Sequence, residues 1–269
     1  MIKFTYIFTG IIAIILATSC SDYNRVLKSD DYGDKFDMAN HLYDSVGTAS
    51  SKVRSISLYE QIYQRSPKTG EGELAYFRIG KAYFVSGDYY MAGYYLSQFP
   101  QRFPLSPKAE ESMFLSAMCS VNNSPDWSLD QLETDVAINN LQQFVDRYPN
   151  STLIDSCNNI IDGLRFKLET KSYEAVRLYS KTERFMAAES SALTFMEDYP
   201  MSEFKEEVHY LLVMNSYFLA KNSIEKKKKA RIEQTIERYS TFVAAFPESK
   251  YVRSLASYDD MMRKELKEY

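Results

Sequence analysis

The residues before Cys20 predict a specific covalent modification of its thiol. Lys3 gives the N-terminus a positive charge, residues 7–16 are apolar, and residues 17–19 are small. An apolar stretch of this length is too short for an ordinary membrane span, and small residues after it are typical of a signal-peptidase site. The pattern therefore predicts a bacterial lipoprotein signal over residues 1–19, with a lipid on Cys20 of the mature chain.

The lipoprotein signal departs from the usual pattern at Ala17, where Leu is most common, although Leu16 stands one residue earlier. The alternative is an ordinary secretory signal followed by an incidental cysteine. We favour lipidation, because a cysteine directly after three small residues is rare by chance. Acyl chains would give stable anchoring, since each buried CH₂ contributes about 0.8 kcal/mol. Ser21 is not the acidic residue that retains lipoproteins in the inner membrane, which favours the periplasmic face of the outer membrane.

No arrangement of residues in the sequence predicts catalysis or metal binding. His41 and His209 stand 168 residues apart, without an H-E-x-x-H motif or paired cysteines. Gly80, Gly87 and Gly93 do not form the phosphate loop G-x-x-x-x-G-K-[ST]. We therefore expect no enzymatic activity, no cofactor and no metal.

The net charge bears on the class of partner, and the remaining cysteines bear on the possibility of a disulfide. A net charge of −4 over 269 residues argues against nucleic acid as a partner. Cys119 and Cys157 remain after lipidation. A disulfide between them and two free buried thiols are both compatible with the sequence, and the second is more common at apolar helical positions.

A proline followed two residues later by Ser or Thr recurs five times and marks boundaries between helices. Proline cannot continue a helix, and the hydroxyl after it can cap the amides of the next one. The prolines are separated by 37, 45, 51 and 47 residues, a range that indicates a solenoid of helix pairs. The five pairs are Pro67/Thr69, Pro104/Ser106, Pro149/Ser151, Pro200/Ser202 and Pro247/Ser249.

The second of these units follows the tetratricopeptide-repeat (TPR) pattern. Gly80 and Ala92 are small where the two helices of a repeat approach each other, and Gly87 supplies the turn between them. We therefore predict an all-α, TPR-like superhelical solenoid of about five helix pairs, with a C-terminal capping helix from about Ser249. An ordinary helical bundle with prolines in its loops is the alternative. The matching residues are Tyr76, Ile79, Gly80, Tyr83, Ala92, Leu96 and Pro104.

The sequence divides into three segments. Residues 1–19 are the predicted signal. Residues 20–34 are polar and rich in aspartate, which predicts a lipidated cysteine followed by a flexible linker. Residues 35–269 are predicted to form the five-repeat solenoid as one domain.

Two stretches are longer than the repeat pattern requires. We predict that residues 122–129, which include Trp127, and residues 224–231 form loops between the helices of repeats three and five. The second stretch carries the lysine run Lys226–Lys229. A lysine run between helices is usually a solvated loop, and contact with an anionic membrane or partner surface is the alternative.

One face of the first helix in repeat two carries a candidate binding surface. Phe77, Lys81 and Phe84 are spaced i, i+4 and i+7 on the face opposite the packing positions. In TPR proteins this side of the helix lines the concave groove, where two aromatic rings and a lysine would face a peptide. The alternative is that neighbouring helices cover them. The candidate peptide-binding residues are Leu74, Phe77, Lys81, Phe84, Phe114 and Met118.

The chain resembles the BamD family, lipoproteins of the machinery that assembles β-barrel proteins in the outer membrane. The resemblance runs over almost the whole mature chain and implies a non-enzymatic role. Its most telling part is similar to the family's long helix and fourth repeat. The residues that carry it are Phe144, Tyr148, Pro149, Asn150, Ser151, Leu164, Arg165, Leu168, Tyr173, Leu178, Tyr179, Ala187, Ala188, Tyr199 and Pro200.

The resemblance also implies partners. Family members bind the BamA-type barrel-assembly protein through their C-terminal repeats and work with other assembly lipoproteins. They are proposed to recognise the C-terminal signal of unfolded outer-membrane proteins through their N-terminal repeats. This chain departs from enterobacterial members in its lysine-rich insertion and long C-terminal helix, so contacts with accessory lipoproteins are not carried over. The alternative is another periplasmic TPR lipoprotein, serving cell division, peptidoglycan or polysaccharide export.

Overall fold

A computed structural model describes residues 22–269, which form helices joined by turns and contain no β-strand. The predicted signal over 1–19 and the predicted lipid on Cys20 lie outside the described residues. The helices are α1 (22–28), α2 (Tyr32–Asn40) with a π-helical turn (His41–Val46), α3 (Ala49–Arg65), α4 (Gly70–Ser86), α5 (Tyr89–Arg102), α6 (Ala109–Asn123), α7 (Leu132–Arg147), α8 (Ile154–Lys181), α9 (Phe185–Asp198), α10 (Lys205–Lys221), α11 (Glu225–Ala245) and α12 (Val252–Leu266).

Helices that follow one another along the chain pack together. This holds from α2 to α7 and from α9 to α12, and α8 packs on α9 and α10 through Tyr173 and Val176. The five helix pairs therefore run from α2 and α3 to α10 and α11, and α12 follows them. This arrangement confirms the all-α, TPR-like prediction.

The contacts within the chain group into two compact units. Unit one comprises residues 22–125 and 131–161, and unit two comprises residues 126–130 and 162–269. Unit one contains the pairs of repeats one to three, unit two contains α9 to α12, and α8 contributes residues to both. The single repeat domain over 35–269 stays a prediction.

The described part of the segment predicted as a linker is helical. The Tyr23 hydroxyl donates to the backbone carbonyl of Arg54 at 2.9 Å, and Val26 is buried against the core of repeat one. Asp31 caps α2 by accepting hydrogen bonds from the backbone N–H groups of Gly33 and Asp34. One of the acidic residues that favoured a linker, Asp31, is therefore a helix cap, a position at which Asp is favoured.

The helices of repeat two meet at Gly80 as the TPR pattern predicts. A Cβ atom on Gly80 would lie 2.8 Å from Cγ of Leu96, and Ala92 is fully buried beside it. Gly87 ends α4 at φ 82°, in the left-handed region that glycine occupies without strain. The Asp88 carboxylate then accepts the N–H of Met91 and caps α5. Each small residue is therefore explained by a specific close approach or turn.

The second helix of each repeat buries a large side chain in its last turns and then ends at a proline. Just before that proline the backbone leaves the helical region in all five repeats, with φ between −137° and −124° and ψ between 58° and 64°. The buried side chains are Ile62, Phe99, Phe144, Phe195 and Phe242, and the residues before the prolines are Ser66, Phe103, Tyr148, Tyr199 and Phe246.

The hydroxyl residues after the prolines differ in their roles from the prediction. Thr69 caps α4 by accepting the N–H of Gly72. Ser106, Ser202 and Ser249 instead accept the N–H two residues later, and the helices that follow them begin without a side-chain cap. The predicted capping role is therefore wrong for these serines, which form a local turn before the helix.

Two of the serines also close their repeats. Ser106 donates to the carboxylate of Glu73 at 2.6 Å, and Ser249 donates to Glu206 at 2.6 Å. Glu73 and Glu206 each stand six residues after the preceding proline, so the two bonds occupy equivalent positions in repeats two and five. Each bond joins the start of the first helix to the turn after the second.

The lysine run is helical, so the loop predicted over 224–231 is wrong. Helix α11 begins at Glu225, and Lys226–Lys229 form its first turns. Lysine is a good helix former, and its polarity alone does not indicate a loop. The other predicted loop is confirmed from Ser124 onward, and Lys171 donates to the backbone carbonyl of Leu129 within it at 2.7 Å.

We expect Gly80→Leu to lower the free energy of unfolding by about 1–3 kcal/mol, because the new side chain would overpack the contact with Leu96. The matched control is Gly163→Leu, since a Cβ on Gly163 meets nothing within 4 Å. That change should be neutral or stabilising by up to about 1 kcal/mol, through helix propensity alone. Thermal unfolding followed by circular dichroism measures both, and equal midpoints for the two variants would contradict the packing described.

Candidate functional site

Of the aromatic residues predicted to line the groove, the structure buries Phe77 and leaves Phe84 and Phe114 partly exposed. Phe77 is only 5% exposed, and its ring packs on Phe99 at a centroid distance of 5.3 Å. Phe84 is half-buried and packs on Tyr89 at 5.6 Å. Phe77 belongs to the same cluster as Cys119 of α6, so the next repeat covers it. The exposed role that the sequence predicts for Phe77 is therefore wrong.

Lys81 lies beside Phe77 but its charge is already matched. Its Nζ lies 2.6 Å from a carboxylate oxygen of Glu111 on α6 and 5.3 Å from the centroid of the Phe77 ring. About a third of the lysine side chain is exposed. A carboxylate ligand at Lys81 would have to compete with Glu111.

The remaining candidate residues serve packing in part. The Phe114 ring packs at a tilt on Phe144 of α7, at a centroid distance of 5.6 Å, and Leu74 and Met118 are half-buried. Glu111, Phe114 and Met118 share one face of α6 by their i, i+3, i+7 spacing. The structure thus brings Phe77, Lys81 and α6 together, but the ring of Phe114 is engaged by α7.

Sequence reasoning missed a polar cluster around Arg78. The guanidinium donates to Asn40 at 2.7 Å and to the Tyr59 hydroxyl at 2.8 Å, and it lies 2.8 Å from a carboxylate oxygen of Asp44. Burial raises the pKa of both Tyr59 and Tyr43 to about 12, so both stay neutral. The cluster ties the π-helical turn to α3 and α4. An arginine within the otherwise apolar stretch from Leu74 to Gly80 was the available sequence signal.

Two ion pairs form a row of charges across the π-helical turn and the first helices of repeats two and three. Asp44, Arg78, Lys81 and Glu111 follow one another from the π-helical turn through α4 to α6. The two carboxylates are about half exposed and the two cations less so. Such a row can hydrogen-bond a peptide backbone, but it holds no unpaired acid or base for chemistry.

A second feature that sequence reasoning missed is an aromatic pocket on α3, α4 and α5 of unit one. A cavity of about 290 Å³ adjoins another of about 730 Å³, and Tyr63, Gln64 and Arg102 line both. Arg102 donates to the Tyr63 hydroxyl at 2.8 Å, and its guanidinium lies 5.1 Å from the centroid of the Tyr76 ring. The other ring-bearing residues that line one or other of these cavities are Tyr76, Tyr94, Tyr95, Phe103 and Pro67.

The polar groups of the aromatic pocket leave room for a ligand. The buried Tyr76 hydroxyl forms no hydrogen bond within the described part of the chain. Tyr95 donates to the Glu60 carboxylate at 3.2 Å, and burial raises the pKa of Tyr95 well above its ordinary value. Tyr94 is more than half exposed. The pocket thus combines aromatic walls with an exposed cation, which the Lys81 face was predicted to do.

Unit two presents an acidic pocket at the end of its last repeat. A cavity of about 500 Å³ lies between the start of α10 and the start of α12. Glu203 and Glu248 are exposed at its edge, and Phe246 and Tyr251 supply apolar surface. Glu206, which also lines the cavity, accepts the hydrogen bond from Ser249. The arrangement suits a basic side chain with an apolar stem.

Cys119 and Cys157 are free thiols and both are buried. Burial raises the pKa of Cys119 to about 12, which keeps it a thiol, and it raises the pKa of Cys157 as well. Of the two alternatives the sequence allowed, the structure therefore contains the buried thiols. Within residues 22–269, no three His, Cys, Asp or Glu side chains are placed to hold a metal ion. No helix within that range is long and apolar enough to cross a membrane.

Comparison with known proteins identifies two curated relatives of this chain. An outer membrane protein assembly factor BamD of Caulobacter vibrioides is 22% identical over 176 residues, which is 65% of this chain and 58% of the relative. A protein of the same name from Helicobacter pylori is 24% identical over 153 residues, which is 55% of this chain and 66% of the relative. The chain thus matches less than two thirds of the length of each.

A family described as YfiO, outer membrane lipoprotein, matches residues 39–192 and 187–269. The two matches together cover nearly all of the described residues, including all of α3 to α12. The chain therefore belongs to the YfiO family of outer membrane lipoproteins.

Proposed function

We propose that this chain is a non-enzymatic lipoprotein scaffold of the machinery that assembles β-barrel proteins in the outer membrane. The observation that carries the proposal is the family match over residues 39–269, and two relatives are named outer membrane protein assembly factors. The described structure supports a scaffold, because Arg78 and Lys81 in unit one are engaged in packing and in ion pairs with carboxylates. Its pockets suit peptide and side-chain ligands.

A periplasmic TPR lipoprotein of cell division, peptidoglycan or polysaccharide export would share the repeats and the anchor. The names of both relatives favour the assembly machinery over these roles. Purification of the tagged chain from its own cells separates the two proposals. A BamA-type protein should accompany it, together with other assembly lipoproteins, and its absence would favour the alternative.

The anchor of this scaffold is proposed to be the lipid on Cys20, at the periplasmic face of the outer membrane. The family description supports a lipoprotein, and the residues before Cys20 carry the signal. Attachment would hold both units near the site of barrel assembly.

Cells grown with labelled palmitate should label the chain, and Cys20→Ala should abolish the label because the acceptor thiol is gone. Cys119→Ala is the matched control, since it removes a buried thiol and should leave the label intact. Equal labelling of the Cys20 variant and the unaltered chain, after gel separation of both, would contradict the lipoprotein signal.

Unit two is proposed to dock the BamA-type protein, as the family resemblance implies for the C-terminal repeats. The acidic pocket supports this assignment, because two exposed glutamates beside two aromatic rings complement a basic side chain of a partner. In the same unit, the partly buried pair of Arg238 and Glu189, at 2.7 Å, holds α9 and α11 together.

Glu203→Lys combined with Glu248→Lys should weaken co-purification of the BamA-type protein by about tenfold or more, because the reversed charges repel a basic partner group. The matched control is Glu197→Lys with Glu237→Lys, two exposed glutamates of unit two outside the pocket. Equal recovery of the partner with both double variants would place the interface elsewhere.

Unit one is proposed to receive the C-terminal signal of unfolded barrel substrates. The aromatic pocket fits a peptide that ends in an aromatic residue and a carboxylate, since its ring walls can stack and Arg102 can bind the carboxylate. The Lys81 face remains a second candidate, with Leu74, Phe84, Phe114 and Met118 around it. Its lysine is already paired with Glu111, which favours Arg102.

Arg102→Glu should weaken binding of a barrel C-terminal peptide by about tenfold or more, because a charge-assisted hydrogen bond contributes about 1.5–3 kcal/mol. Lys81→Glu should have a smaller effect. Lys181→Glu, an exposed lysine of unit two, is the control. Fluorescence anisotropy measures the affinities. If only Lys81→Glu lowers the peptide affinity, the Lys81 face predicted from sequence is the binding site. If all three variants bind the peptide equally well, unit one does not recognise the substrate signal.

Phe77→Ala is unsuited to this test. The ring is part of the core between α4, α5 and α6, so its removal would leave a cavity and lower stability by about 3–5 kcal/mol. A loss of peptide binding would then report unfolding rather than recognition.

A further inference from the structure

The turn between α10 and α11 presents a basic surface that the proposed function does not use. We call it the basic tip; its residues are Lys221, Ile224, Lys226, Lys227 and Lys229. All four lysines are exposed, and Ile224 is 67% exposed between them. The chain as a whole carries a net charge of −4, so this surface is opposite in sign to the protein that bears it.

The lysines of the basic tip are not neutralised within the described part of the chain. Residues 22–269 contain one ion pair in this run, between Lys228 and Glu265 of α12 at 2.6 Å. At 100° per residue, Lys229, Lys226 and Lys227 spread over nearly half of the helix circumference, and Lys228 lies opposite them. One lysine therefore holds α11 to α12, and the other three point away from that contact.

This placement runs against the local preferences of a helix. The N-terminal end of a helix carries a partial positive charge, so lysines in the first turns are unfavourable. Acidic residues stand in the first turns of α4, α6, α7, α8 and α10, whereas the single acidic residue in the first turn of α11, Glu225, is followed by four lysines. An exposed isoleucine, which is a poor capping residue, stands at the cap position of α11. Local rules broken without a compensating contact are typical of functional surfaces.

We infer that the basic tip docks on an anionic phospholipid surface. The lysine ammonium groups would pair with lipid phosphates, and the Ile224 side chain would enter the boundary between headgroups and acyl chains. Long lysine side chains around a single apolar residue suit a diffuse charged surface, whereas a protein partner would select a shaped apolar patch. The inference does not depend on the proposed role in barrel assembly.

The test places an environment-sensitive fluorophore at the tip. The full chain with Ile224→Cys is labelled with a nitrobenzoxadiazole dye and reconstituted into phosphatidylcholine vesicles with or without phosphatidylglycerol. Cys119 and Cys157 are buried and stay unlabelled, and mass spectrometry confirms one dye on each chain. The emission should shift to the blue with phosphatidylglycerol only, and added salt should reverse the shift because the attraction is screened.

Two further chains complete the test. Changing Lys226, Lys227 and Lys229 to Gln should reduce the lipid-contacting population on the order of a hundredfold, at about fivefold per lysine. Met186→Cys is the matched label site, since Met186 is also 67% exposed in unit two, and its emission should not respond. The inference is overturned if the emission of the dye at position 224 does not change with phosphatidylglycerol, which is the result expected when the tip binds an acidic protein instead. It is also overturned if the blue shift persists after the three lysine substitutions.

Discussion

A large side chain buried near the end of the second helix of each repeat holds the surrounding elements in place. The four phenylalanines among them have no exposed surface. Their rings pack on the next aromatic residue at centroid distances of 5.1 to 5.5 Å, and their backbone carbonyls accept the N–H of that same residue. The proline follows at once, so the end of the helix, the turn and the core depend on one another. This contact therefore also sets the position of the helix that begins after the turn.

The repeat boundaries and the close approach at Gly80 could be predicted from sequence because they rest on local steric rules. Proline stops a helix wherever it occurs, and a glycine opposite Leu96 reflects one contact between two helices that adjoin in sequence. The environment of Phe77 could not be predicted in the same way. Helix α4 packs on α3, α5 and α6, so only a narrow arc of it, which includes the partly exposed Lys81, is left uncovered.

Much of the candidate site depends on contacts that no local pattern encodes. Arg78 meets residues 19 and 38 positions earlier in the chain, and Arg102 meets Tyr63 across 39 positions. A basic residue at either place is compatible with a solvated helix face. Only the packing of three helices decides that one guanidinium is enclosed in a tyrosine cluster, while the other remains at the mouth of a cavity.

The hydrogen bonds from Ser106 to Glu73 and from Ser249 to Glu206 join the two ends of their repeats. Each bond lies at the end of the helix pair opposite the turn that connects its two helices. Repeat five is ten residues longer than repeat two when measured from proline to proline, yet the fastening is the same. Added residues in such a helix pair extend the turn between its two helices, where they disturb neither the Ser–Glu hydrogen bond nor the neighbouring repeat. Evolution can therefore vary the bends of this protein freely, and new surface chemistry can arise there without redesign of the scaffold.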